Sequence, residues 1–161
     1  MRKANYDKFP STKLTGMLVQ GWDSIISMLK KKMDARKVLA VDLYTGVYEE
    51  EVLDAFSKEF SGRVMNVRDL MKPEKEIQAL TERFMTEDVL FGYVTNLKLE
   101  DYLDADKVAA ARKQISEAKD AIVIIGTGAS VVAPQDAMVV YADMARWEIQ
   151  QRFRRHEIKA L

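Results

Sequence analysis

Short apolar runs alternate along the chain with longer segments in which apolar residues recur every three or four positions. The runs cover 38–41, 63–67, 121–125 and 138–141. Runs of this length are typical of strands buried on both faces of a parallel sheet. Because helical segments alternate with them, we predict an α/β domain of three layers, with a mostly parallel sheet and helices on both faces.

The helical segments are recognised by their apolar stripes. These are Trp22, Ile25, Ile26, Leu29 and Met33; Tyr48, Val52, Ala55, Phe56 and Phe60; Ile77, Leu80 and Phe84; Val108, Ala111, Ile115 and Ala118; and Ala145, Ile149 and Phe153. Asp104 and Asp143 are placed to cap the last two of these helices. Residues 1–20 show little periodicity and are expected to form an extended segment within a single domain, 1–161, and 89–91 are ambiguous.

Composition removes several classes of function. The 161 residues include 25 Lys plus Arg, 25 Asp plus Glu and no cysteine. A net charge near zero argues against nucleic acid as a partner, and the absence of cysteine excludes disulfides and thiol chemistry. No apolar run approaches the roughly 20 residues that a membrane span needs. The polar N-terminus has no apolar core of a signal peptide, so we expect a cytoplasmic protein that contacts no membrane.

Ligands of parallel sheets bind beside the carboxyl ends of the strands, and the first loop in that position is 42–48. It lies where a phosphate-binding P-loop would lie, but it has one glycine and no lysine. Glu49, Glu50 and Glu51 follow it and would repel a polyphosphate. Asp42 and Thr45 are its candidate ligand-binding residues, and the alternative is a strand–helix connection with a structural role alone.

The second loop in that position contains Gly126, Thr127 and Gly128, followed by an extended or turn segment. Its glycines permit close approach of backbone N–H groups to a ligand; a tight turn is the alternative. The last helix carries Arg146, Arg152 and Arg155, with Asp143 before it. We expect an anionic ligand to bind between this loop and the helix, with the arginines closing over it as a lid. The alternative is a solvated helix face with ion pairs.

No complete set of catalytic residues is recognisable. His156 is the sole histidine, so a site with several histidine ligands cannot be built, and we predict no metal in this chain. Asp42 and Asp143 are the best-placed carboxylates for acid–base work, but no pair stands out. We therefore predict no catalytic residue, no ATP hydrolysis and no cofactor bound to this chain.

Four stretches carry a resemblance to a known family. They are YDKFP at 6–10, VDLYTGVYEEEV at 41–52, IGTGA at 125–129 and YADMARWEIQQRFRR at 141–155. Together they resemble the N-terminal region of large bacterial proteins of the class I mannose-6-phosphate isomerase family. In that family a zinc-binding cupin part follows this region. The resemblance implies an accessory or regulatory domain that binds a sugar phosphate or nucleotide, with the C-terminal cupin domain of the same protein as its partner and the zinc outside this chain.

The order of elements also resembles that of nucleoside and uridine kinases. In those kinases a P-loop follows the first strand and an Arg-rich lid helix follows the fourth. Positions 45–49 match the first feature by place alone, whereas Arg152, Arg154 and Arg155 match the second by place and residue type. A fifth strand would have to follow the lid helix, so we expect this chain to be the N-terminal part of a longer protein. Two alternatives stay open, namely an active small-molecule kinase with an atypical phosphate loop and a protein-interaction domain without a small-molecule ligand.

Overall fold

A computed structural model of the protein describes residues 6–7, 9–13, 15–33, 37–88 and 92–158. Within these residues, four strands and six helices follow one another as α1 (Trp22–Met33), β1 (Val38–Leu43), α2 (Glu49–Glu59), β2 (Arg63–Asn66), α3 (Glu74–Glu82), α4 (Ala105–Glu117), β3 (Ile122–Gly126), α5 (Ala129–Val132), β4 (Met138–Ala142) and α6 (Arg146–Arg154). Two 3₁₀ helices, Val67–Leu70 and Leu99–Tyr102, complete the order. The predicted alternation of strands and helices is confirmed.

The strands form one sheet in the order β2-β3-β1-β4, and every pair is parallel. Val41 lies opposite Ile125 of β3 and Val140 of β4, so β1 is central. Parallel pairing places all four carboxyl ends at one edge of the sheet. The loops after β1 and β3 therefore meet at that edge, as the sequence predicted.

Helices cover both faces of the sheet, which gives the predicted three layers. On one face α1 and α2 bury Ile26, Leu29, Val52 and Phe56 against alternate strand residues. On the other face α4, α5 and the first 3₁₀ helix do the same, in a cluster that includes Val67, Val108, Ala111, Ile115, Ile122, Ile124, Ala129 and Val132. The alternation follows from the pleat, which points successive side chains to opposite faces.

The helix ends confirm one predicted cap and correct two predictions. Asp104 accepts hydrogen bonds from the backbone N–H groups of Asp106 and Lys107, both at 3.0 Å, and caps α4 as expected. Asp143 does not cap α6, which starts after Ala145; its carboxylate accepts from Met144 N instead, at 2.7 Å. The segment after Gly128, expected to be extended or a turn, contains the one-turn helix α5. The ambiguous 89–91 lie outside the described residues.

β4 is an edge strand, and one of its faces is left open. Val139 and Tyr141 are 55% and 58% exposed, whereas Val140, on the opposite face, packs against the core formed with α1 and α2. None of the helices in the described part of the chain is long and apolar enough to cross a membrane.

Candidate functional site

A cleft with a volume of about 720 Å³ lies at the carboxyl edge of the sheet. Its size is that of a small-molecule site. Three parts of the chain form it: the end of β1 with the following loop and the start of α2, the region after β2 and β3, and the end of α6. The lining residues are Leu43, Tyr44, Thr45, Gly46, Val47, Tyr48, Glu49, Glu50, Glu51, Arg68, Thr127, Phe153, Glu157 and Ile158.

The loop between β1 and α2 forms the floor of the cleft as a tight turn. Tyr44 donates its backbone N–H to Ala142 O at 2.9 Å, which ties the loop to β4, and Val47 N donates to Tyr44 O at 3.2 Å. Gly46 has a φ of 96°, and a Cβ there would lie 2.9 Å from Ile149 Cγ1. Glycine is therefore required both by the backbone and by the close approach of α6.

The start of α2 places a carboxylate in the cleft wall. Glu49 Oε2 lies 3.1 Å from Arg68 Nη2, and the Glu49 side chain is 18% exposed. Among the described residues, the other oxygen of Glu49 is buried and has no hydrogen-bond partner. A carboxylate oxygen can only accept a hydrogen bond, so this one atom is without a donor among the described residues. Glu51, two residues on, accepts from Trp22 Nε1 at 3.0 Å.

The opposite wall is a network of charged groups at the end of α6. Tyr48 Oη donates to Glu157 Oε2 at 2.7 Å, and Arg155 donates to both oxygens of Glu157, at 2.6 and 2.9 Å. The hydrogen bonds from Arg155, and then that from Tyr48, lower the pKa of Glu157 to about 2. The same bond to Glu157 raises the pKa of Tyr48 above its ordinary value. Near neutral pH Tyr48 is therefore protonated and Glu157 is ionised, which preserves the hydrogen bond between the first loop and the end of α6.

Arg152 lies against the first loop rather than over the second. Its guanidinium donates to Gly46 O at 2.6 Å and to Glu148 Oε1 at 3.2 Å, and its Cζ lies 3.6 Å from the centroid of the Tyr48 ring. Hydrogen bonds from Arg152, then from Arg155, lower the pKa of Glu148. Arg152 therefore does not lie over 126–128 in this structure, because the carbonyl of Gly46 and the carboxylate of Glu148 hold its side chain.

The second loop is also engaged within the chain. The carboxylate of Asp42 accepts from Gly128 N at 2.9 Å and from Ser130 N at 3.1 Å, and it accepts from the Ser130 hydroxyl as well. Gly128, with a φ of 85°, is the N-cap of α5. The N–H of Gly128, one of those expected to meet an anionic ligand, thus meets a carboxylate of the protein itself, as does the N–H of Ser130.

The predicted ligand-binding residues are therefore distributed over distinct places. Thr45 and Thr127 line the cleft, and Thr127 Oγ1 donates to Leu43 O at 3.1 Å. Asp42 and Gly128 meet each other beside it, with Gly126 at the end of β3. The cleft is not lined by Asp143, Arg146, Arg152 or Arg155. The last two contact it indirectly, since Arg152 donates to the lining residue Gly46 and Arg155 pairs with the lining residue Glu157.

Sequence reasoning missed several of the lining residues. Arg68 follows β2, which is a third connection beyond the carboxyl end of a strand, and the rule that ligands bind at such connections points to it. Glu49 was interpreted only as a repulsive charge, and its pairing with Arg68 depends on the order of β2, β3 and β1. No local signal in the sequence gives that order.

A second cavity, of about 650 Å³, lies at the opposite edge of the sheet. It is bounded by Lys37 and Val38 at the start of β1, by α4 and by the segment after α5. Its lining is largely apolar, and Arg112 donates to Val131 O at 2.7 Å beside it. Ordinary substrate sites of parallel sheets lie at the other edge, so the carboxyl-edge cleft is the better candidate.

The fold and the cleft define an α/β protein of the parallel-sheet class with a small-molecule-sized site at the carboxyl edge of its strands. Residues 21–161 match the family described as a domain of unknown function (DUF8485), and the chain belongs to that family. No curated protein and no solved structure matches the chain significantly.

Proposed function

We propose that the chain is a non-catalytic accessory domain with a kinase-like layout, which binds a small metabolite in the carboxyl-edge cleft. The observation that carries this proposal is the cleft itself, which joins the loop after the first strand to the Arg-rich helix after the fourth. This is the relation of phosphate loop to lid helix in the kinases that the chain resembles. The resemblance to class I mannose-6-phosphate isomerases adds a sugar phosphate or nucleotide as the expected metabolite and a cupin domain as the partner.

Three features of the cleft support a binding role over phosphoryl transfer. The turn between β1 and α2 is five residues long, 44–48, and its backbone is closed on itself and on β4. Among the described residues that line the cleft there is no lysine to hold a terminal phosphate. Helix α2 opens with three glutamates, which oppose the charge of a nucleoside triphosphate.

The proposal is tested by titrating ¹⁵N-labelled protein with mannose, mannose 6-phosphate, fructose 6-phosphate, uridine, UMP and ATP. Binding is expected to shift the amide signals of 44–51, 68 and 127 and to leave those around Lys37 and Pro134, at the second cavity, unchanged. An ATPase assay with magnesium is expected to show no turnover above that of buffer. Turnover abolished by Thr45→Ala would support the kinase alternative, and an absence of shifts with every compound would contradict the binding role.

One observation favours a protein-interaction role as a second candidate. The open face of β4 exposes Val139 and Tyr141, and Trp147 at the start of α6 is 67% exposed. Apolar surface of this kind is enriched in interaction sites. If it docks another domain of the same protein, Tyr141→Lys is expected to weaken co-purification of separately expressed parts while leaving ligand-induced shifts at the cleft intact.

A further inference from the structure

The walls of the carboxyl-edge cleft offer hydrogen-bonding groups whose charges are largely neutralised within the protein. Glu49 is paired with Arg68, and Glu157 is paired with Arg155 and bonded to Tyr48. A carboxylate engaged on one side retains further lone pairs for hydrogen bonds. Thr45 and Thr127 add hydroxyl groups to the lining. Such walls suit a ligand that has many hydroxyls and no charge.

Apolar rings lie among these polar groups. Tyr44, Tyr48 and Phe153 line the same cleft, and the Tyr48 ring is fixed by the Arg152 guanidinium on one side. Ring faces beside a few directional polar groups are the usual make-up of small-molecule sites. The C–H faces of a sugar ring are apolar while its hydroxyls are polar. A single sugar can therefore pack against the aromatic rings and form hydrogen bonds with the polar groups of the cleft.

The remaining charge in the cleft opposes anions. Of the described residues that line it, four are glutamates and one is an arginine. Glu49 and Glu157 are in the ion pairs described above, so the charge left over is that of Glu50 and Glu51. Three of the glutamates, Glu49, Glu50 and Glu51, begin α2, so they also offset the positive end of that helix. The other place where backbone N–H groups could have held a phosphate is taken by the Asp42 carboxylate.

From these observations we infer that the cleft selects the neutral, vicinal-diol part of a metabolite and discriminates against its phosphorylated form. A pyranose and the ribose of a nucleoside share this chemistry. The Glu49 carboxylate, which lines the cleft and is 18% exposed, accepts from one of the hydroxyls. This inference rests on the proposed binding role and names the class of ligand, which is unphosphorylated rather than the expected sugar phosphate or nucleotide.

The test compares matched pairs of compounds on the same wild-type protein by calorimetry or NMR titration. The pairs are mannose with mannose 6-phosphate, fructose with fructose 6-phosphate, and uridine with UMP. We expect the uncharged member to bind about five- to tenfold more tightly at low salt, with a smaller ratio at 0.5 M NaCl because salt screens the glutamates. The sugar pairs and the nucleoside pair distinguish the two sources of the diol, and 2′-deoxyuridine tests whether both hydroxyls are needed.

Two variants test the role of the carboxylates. Glu49→Gln keeps the size of the side chain and is expected to weaken binding of the uncharged ligand roughly tenfold or more, whereas Glu59→Gln, at the far end of the same helix, leaves binding unchanged. Glu50→Gln is expected to reduce the ratio of the affinity for the uncharged ligand to the affinity for the phosphorylated one. Glu59→Gln is expected to leave that ratio unchanged. Thermal unfolding checks that each variant is folded.

The outcomes separate the two proposals. Tighter binding of the phosphorylated members, or unchanged binding by folded Glu49→Gln, overturns the inference on ligand class and leaves the binding role in place. If no compound of any pair binds, the binding role is itself contradicted. The comparison of pairs needs no variant, so it decides the question even if Glu49→Gln does not fold.

Discussion

The carboxylate of Asp42 accepts a hydrogen bond from the backbone N–H of Gly128 at 2.9 Å, across 86 positions of sequence. It thereby joins the end of β1 to the start of α5, at the edge of the sheet where ligands of such folds bind. An anion at the start of a helix is stabilised by the free N–H groups there. In this protein that anion is a side chain.

Asp42→Ala is expected to destabilise the fold by about 2 kcal/mol, because it leaves the backbone N–H groups of Gly128 and Ser130 without their acceptor. Asp143→Ala is the matched control. The Asp143 carboxylate accepts only from its neighbour Met144 in the described structure, so a change within about 0.5 kcal/mol is expected. Urea unfolding measures both. Equal losses of unfolding free energy in the two variants would show that the hydrogen bonds between β1 and α5 do not contribute measurably to stability.

The same variant is expected to acquire an anion site. With the carboxylate gone, inorganic phosphate at millimolar concentration can accept from the vacated N–H groups and raise the Tm of Asp42→Ala. Wild-type protein is expected to show no rise beyond the general effect of ionic strength, for which sodium chloride is the control. A rise of equal size in both proteins would contradict this account of the Asp42 position.

Arg152→Ala is expected to cost about 1–3 kcal/mol, because the side chain is only 13% exposed and holds Gly46, Glu148 and the Tyr48 ring. Arg154→Ala, at an exposed position of the same helix, serves as the control and is expected to stay within about 0.5 kcal/mol. Equal stability of the two variants in urea would mean that the Arg152 contacts are weak.

His156→Gly is expected to stabilise the protein by about 0.5–1 kcal/mol. His156 has a φ of 56°, and the bonds His156 N to Phe153 O and Glu157 N to Arg152 O close the end of α6 in the manner of a Schellman motif. Glycine adopts this conformation without strain. In contrast, Gln150→Gly within α6 is expected to cost about 1 kcal/mol. Thermal unfolding distinguishes the two signs, and a loss of stability in His156→Gly would contradict the argument.

Stability is expected to fall in acid partly through Glu157. Its pKa in the folded protein is about 2, below the ordinary value of 4.5. Its contribution is therefore fully present above about pH 4.5 and is lost as the pH falls toward 2. Glu157→Gln should flatten the dependence of unfolding free energy on pH in that window, whereas Glu117→Gln, an exposed glutamate of α4, should not. NMR titration of Glu157 checks the pKa directly.

The fold was predictable from sequence to the extent that it depends on local pattern. Unbroken apolar runs mark strands buried on both faces, and those at 38–41 and 121–125 became the central strands β1 and β3. The short helix α5 was missed because four residues show no helical period, and the carboxylate that accepts from its first N–H groups, Asp42, is far away in sequence. Boundaries moved by one or two residues, as fraying ends do.

The candidate site was less predictable, because its contacts join distant parts of the chain. The sequence placed Arg152 near a ligand by helix position, but its direction depends on how closely α6 approaches Gly46. Glu49 was interpreted by its charge alone. Its partner Arg68 follows β2, which β3 separates from β1 in the sheet, and the sequence does not show that order. Residue type indicated the chemistry available, and the order of strands decided which groups meet.

The strand order also constrains how the chain can acquire its structure during synthesis. Each pairing in the sheet includes β3 or β4, so β1 and β2 have no strand partner until residue 122 and those beyond it have been made. About 80 residues separate the end of β1 from the start of β3, which at 5–20 residues per second corresponds to roughly 4–16 s. Throughout that interval an apolar strand destined for the centre of the protein is without its neighbours. A nascent chain halted before β3 is consequently expected to be a preferred client of ribosome-associated chaperones, and its release should coincide with the emergence of β3 and β4.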